Sequence, residues 1–194
     1  MCSETSIFQF FASKCFLLTL GLVIIQTCGS DTSLQVMYDR LEQFNGSEYL
    51  DASKLRIRKF NRTMSVLDGE FELFHDLDDN FAFTLVLSYS VLGNNQFIRS
   101  PFRIPLQKFC RFLNTTYRDY REFYRNTTNF PDAGTCPWPA QMYYIKNKVL
   151  DANLINKYFR PGLWKVDILV YKAKESFAIF ATELFFKVVR GDMS

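Results

Sequence analysis

The sequence predicts a mainly β fold, two packed sheets carrying a single helix, on three observations. Segments of alternating or continuous apolar character recur about eight times, separated mostly by short Gly-, Asn-, Asp- and Pro-containing stretches. Helical spacing occurs over one long segment only, after Leu106. Aromatic residues make up 17% of the 194-residue chain, with 21 Phe and 10 Tyr, enough apolar mass for one real core and against disorder.

Residues 1–29 read as a secretory signal. Lys14 precedes the apolar run CFLLTLGLVII, and Thr27-Cys28-Gly29 offers small residues for cleavage. A hydrocarbon core needs about 20 apolar residues, roughly twice this run, so the chain is expected to be exported without a transmembrane segment. Residues 30–194 then form a single domain. Cleavage removes Cys2, Cys15 and Cys28, and the remaining pair, Cys110 and Cys136, reads as a disulfide in an oxidising compartment. Chain entropy gives such a loop closure about 3.5 kcal/mol. Four N-x-S/T sequons, at Asn45, Asn61, Asn114 and Asn126, agree with a secreted, extracellular glycoprotein and require each asparagine to face solvent.

In chain order, residues 36–44 admit a strand or a short helix, ended by the Asn45-Gly46 turn. Residues 54–60, KLRIRKF, alternate apolar and basic and predict a half-buried strand. Residues 64–67 and 70–74 flank Asp68-Gly69, the pattern of a type I′ hairpin. HDLDDN, residues 75–80, lacks the glycine and distal glutamate of a calcium loop and reads as a solvated acidic turn. Residues 81–92 form a long apolar strand, turned by Gly93-Asn94-Asn95 into 96–102. Pro101 and Pro105 are expected to close the β region, with Pro105 in the first turn of the helix.

Leu106, Phe109, Leu113, Tyr117, Tyr120 and Tyr124 follow at steps of 3 and 4, the apolar face of that helix. Arg111, Arg118 and Arg125 share the opposite stripe, and Asn114-Thr-Thr is poor helix material where a break is expected. Residues 126–134 are loop, and Cys136-Pro137-Trp138-Pro139 is a rigid turn. Residues 142–149 are a strand, 153–159 a short helical turn, and 163–172 and 177–189 the last two strands.

The chemistry is sparse. A net charge of +3 is too small to point to nucleic acid. His75 is the single histidine and sits in an acidic turn; no nucleophile–histidine arrangement, metal set or phosphate-cradling loop is readable. The expectation is therefore no enzyme, no metal and no cofactor. A glycosidase-like carboxylate pair stays open as a minor reading. Arg190-Gly191-Asp192 matches an integrin-binding tripeptide that also arises by chance.

KLRIRKFNRT (54–63), PLQKFCRFL (105–113), TNFP (128–131), CPWP (136–139), YYIKN (143–147) and PGLWKV (161–166) occur in an order that resembles a known family. It is that of the insect secreted ML-like proteins, related to ganglioside activators, which includes the chemosensory CheA/CheB group. The resemblance implies an immunoglobulin-like β-sandwich or cup around a lipid-sized cavity. It also implies an extracellular carrier of a lipid or pheromone, with a chemosensory receptor as a possible partner. Lipid-binding relatives outside insects commonly carry several disulfides, whereas the mature chain here has at most one. The first expected function is thus a secreted binding protein for a hydrophobic ligand. Its candidate cavity residues are Phe83, Leu85, Leu87, Ile168, Phe180 and Phe186, with Trp138 and Trp164 at the mouth; each also suits ordinary core packing. The alternative is an interaction module that binds a receptor or acidic glycan through the arginine stripe.

Overall fold

The computed structural model describes residues 34–151 and 159–190. In chain order its strands are β1 (Leu34–Asn45), β2 (Leu50–Asp51), β3 (Arg56–Lys59), β4 (Ser65–Leu73), β5 (Phe81–Ser90), β6 (Ile98–Lys108), β7 (Met142–Val149), β8 (Gly162–Lys172) and β9 (Ala178–Arg190). The longer segments build a five-stranded sheet in the order β1-β9-β8-β5-β6. The smaller sheet centres on β4, which pairs with β2, β3 and β7. All pairings are antiparallel. The fold is therefore mainly β with one helical segment, as the alternating pattern requires. Residues 36–44, open between strand and helix in the sequence, lie in β1, held along their length by β9.

Two sequence expectations are corrected. Asp68-Gly69 makes no hairpin, because β4 runs straight through it. The long-range partner β7 carries an extra residue there, and Asn147, at φ 47°, donates its backbone N–H to Asp68 Oδ1 at 2.9 Å. Gly69 is required at that bulge: its φ is 128°, and a Cβ would stand 2.2 Å from the Lys54 carbonyl oxygen.

The second concerns Pro101 and Pro105, which neither close the β region nor start the helix. Both lie within β6, and Leu106 is an exposed strand residue. β6 is an edge strand, where a residue without a backbone N–H does not break a ladder on the open side. The predicted turn at 153–159 lies, except for Phe159, outside the described residues, as do the signal segment and Gly191-Asp192.

The helical segment begins at α1 (Phe109–Phe112), passes through a π-helical turn (Leu113–Tyr117) and continues as α2 (Arg118–Tyr124). The π turn falls on Asn114-Thr-Thr, where the sequence predicts weak helix. It inserts a residue's worth of slack without ending the segment. Phe109, Leu113 and Tyr117 are buried, Tyr124 is half-buried, and Tyr120 turns outward.

A disulfide joins Cys110 to Cys136 across 26 positions, with Cα atoms 5.5 Å apart, and the Cys136–Pro137 bond is cis. Trp138 exchanges two 2.9 Å backbone hydrogen bonds with Leu77, tying the clasp to the acidic turn. Its ring is surrounded by Phe109, Tyr117, Phe130 and Tyr143 at centroid distances of 5.3 to 6.2 Å. The polar ends of those rings are satisfied: Tyr117 donates to the Pro131 carbonyl at 2.7 Å and Tyr143 to the Pro139 carbonyl at 2.6 Å. Burial pushes the Tyr117 phenol up to about 12, against a smaller downward pull from Arg121.

Candidate functional site

The inward face of the larger sheet can be read row by row from its pairing. Tyr89, Trp164, Phe186 and Tyr38 lie side by side across β5, β8, β9 and β1. At the clasp end, Phe83, Val170 and Phe180 form the corresponding row. Trp164, Phe186 and Tyr38 are buried in one apolar cluster, and Phe83, Val170 and Phe180 in another.

Two rows lie between these clusters. Leu87, Val166, Leu184 and Leu41 make the first, and Leu85, Ile168, Thr182 and Gln43 the second. All but Thr182 are only half-buried. That is unexpected for Val166 and Ile168, which sit on β8, the central strand of five. In a sandwich packed to ordinary interior density, inward side chains of a central strand are sealed. Side-chain size differs in step with burial: the flanking rows are largely Phe, Trp and Tyr, whereas the two middle rows are aliphatic but for Thr182 and Gln43.

The band reaches the sheet edge at β1, where a cleft of about 420 Å³ opens. Leu41, Gln43 and Phe44 of β1 line one side, and Asp51, Ala52 and Leu55 of the smaller sheet's edge line the other. Gln43 crosses this opening. Its Nε2 donates to the Leu50 carbonyl at 2.7 Å, and its Oε1 accepts from the Ala52 N–H at 3.0 Å. Asn45 is exposed at the rim.

The eight predicted cavity residues are thus distributed rather than gathered. Leu85, Leu87 and Ile168 belong to the band. Phe83, Phe180, Phe186 and Trp164 belong to the buried rows that bound it. Trp138 and Trp164, expected at a mouth, are both buried; Trp164 donates Nε1–H to the Arg160 carbonyl at 2.9 Å. Sequence reasoning missed Val166, Leu184, Leu41, Gln43 and Thr182. The period-2 alternation of β8 and β9 puts Val166 in phase with Ile168, and Leu184 in phase with Phe186, so that signal was present.

Other candidate features are accounted for locally. A second cleft of about 620 Å³ is lined by Tyr49, His75, Asp76, Asp78, Lys172 and Lys174 among others. Its carboxylates are engaged in the turn, Asp76 accepting from the Ala140 N–H and Asp78 from the Asn80 N–H. On the outward face of the larger sheet, Lys165 lies 2.7 Å from Glu183 and 3.0 Å from Asp167. Burial opposes that charge, but hydrogen bonds to Glu183 and Asp167 outweigh it and raise the Lys165 pKa.

The arginine stripe is exposed, yet Arg118 is 3.6 Å from Asp119 and Arg125 3.4 Å from Glu122, so much of its charge is offset on the helix itself. All four sequon asparagines are exposed. Among the described residues, no helix is long and apolar enough to cross a membrane.

A family model described as "Protein of unknown function (DUF1091)" matches residues 83–166, less than half of the chain. The match runs from the inward Phe83 of β5 through the clasp to Val166 of β8, so it includes three residues of the band, Leu85, Leu87 and Val166. No curated protein matches the chain.

Proposed function

We propose that this is a secreted binding protein that holds a lipid or other hydrophobic molecule between its sheets. The observation that carries the reading is the half-burial of Val166 and Ile168 on the central strand, with Leu85, Leu87 and Leu184 beside them. An apolar chain laid along this band would be held by burial, worth about 0.8 kcal/mol per CH₂ removed from water. The cleft at β1 is the natural entrance, with Gln43 across it. The resemblance to insect chemosensory proteins gives the setting: a carrier of a pheromone or gustatory ligand, presented to a receptor. Partial neutralisation of the arginine stripe by Asp119 and Glu122 weighs against acidic-glycan binding as the main role.

The test is native mass spectrometry and solvent extraction of the protein secreted from eukaryotic cells. The expected result is a co-purifying apolar molecule, or uptake of added lipid at one per chain. A protein that leaves the cell empty and takes up no lipid overturns the reading.

A further inference from the structure

Thr182 interrupts the band. It is 5% exposed, and its hydroxyl has no hydrogen-bond partner. Three other buried hydroxyls of the strands and their ends are paired. Thr84 donates to the Ile104 carbonyl and Ser65 to the Tyr38 carbonyl, both at 2.8 Å, and Ser90 to Asn94 Oδ1 at 3.0 Å. Among the described residues, Thr182 holds the one hydroxyl found buried and unpaired. It shares a face with Phe180 and Leu184, so it is directed between the sheets. Its neighbours across the sheet give it nothing: Ile168 is apolar, and the Gln43 amide is committed to Leu50 and Ala52. A buried hydroxyl without a partner is costly, and a valine of nearly the same shape would avoid the cost.

We infer that the ligand of the band carries oxygen, as a fatty alcohol, acid or ester does, and that Thr182 is the residue that selects for it. This rests on the reading of the band as a ligand site. A saturated hydrocarbon would cover the aliphatic side chains but leave the hydroxyl orphaned. An oxygenated chain of the same length would pair it while burying the same apolar surface. The aliphatic rows thus set affinity for a chain, and Thr182 sets where along that chain the oxygen falls.

The experiment measures displacement of a fluorescent apolar probe, N-phenyl-1-naphthylamine, by dodecan-1-ol and by dodecane. Wild type, Thr182→Val and Thr182→Ser are compared. Wild type is expected to prefer the alcohol by about tenfold, the worth of one hydrogen bond in a dry site. Thr182→Val should fold with equal or higher thermal stability, bind dodecane at least as tightly as wild type, and lose the preference; Thr182→Ser should retain it. A preference intact in Thr182→Val, or equal affinities in wild type, overturns the role of Thr182 and leaves the band as a site for plain hydrocarbon. Failure of both molecules and of the probe to bind wild type overturns the site itself.

Discussion

The clasp end and the middle of the larger sheet share strands β5, β8 and β9 but are built to opposite ends. Around Trp138 the interior is filled by interlocking rings whose hydroxyls are all given carbonyl acceptors. One or two rows further along the same strands, Leu, Ile and Val replace the rings, burial becomes partial, and a hydroxyl is left unpaired. The difference is chiefly one of side-chain volume, since both regions are mostly apolar. On the proposed reading, large residues at the ends set the spacing of the sheets and smaller ones between them leave room for a ligand. A binding site can arise in this way without any residue that looks functional.

The contrast predicts unequal responses to mutation. Trp138→Ala should be the most damaging, costing roughly 3–5 kcal/mol as a large cavity opens in a filled region. Denaturant unfolding would show it, and a loss under 1 kcal/mol would mean the clasp end is not densely packed. Cys136→Ser should cost about 3.5 kcal/mol from the reopened loop and impair secretion; normal export and an unchanged Tm would refute the clasp.

Enlarging residues sharpens the comparison further. Val188→Phe, at a position 1% exposed, should destabilise by about 1–3 kcal/mol through overpacking. Val166→Phe, in the band, should change stability by less than 1 kcal/mol yet abolish uptake of an apolar probe. Equal destabilisation by the two would show that the band is as full as its flanks.

The smallest effect is on pH dependence. The Tyr117 phenol is raised to about 12 in the fold, from an ordinary value of 10. Its contribution is complete below pH 10 and is lost as pH climbs from 10 towards 12. Tyr117→Phe should remove part of the alkaline loss of stability in that window and leave the neutral-to-acid limb unchanged, as followed by circular dichroism.

Much of this arrangement was legible from local signals. Gly93-Asn94-Asn95 marked the β5–β6 hairpin, the 3–4 spacing of Phe109, Leu113 and Tyr117 marked the buried helix face, and the paired cysteines marked the clasp. What escaped depended on partners far along the chain. Asp68-Gly69 has the composition of a turn, and nothing near it reveals that β7 bulges opposite or that the Lys54 carbonyl needs the space of a missing Cβ. The prolines of β6 could be read correctly only with the knowledge that its outer side is unpaired. The band was half visible. Leu85, Leu87 and Ile168 stood out as inward residues of apolar strands, but Thr182 and Gln43 look polar in isolation. They become part of the site only through their register with Ile168.

Those two prolines have a consequence for the molecule in a crowded solution. An uninterrupted edge strand is a template on which another chain can add, the first step towards aggregates. On β6 the rings of Pro101 and Pro105 remove two donors, and irregular pairing near Ser100 and Leu106 breaks the rhythm of the others. A second molecule arriving there meets a rim that it cannot continue. The larger sheet is thereby closed to growth on that side, while the cleft lies at its opposite edge, at β1.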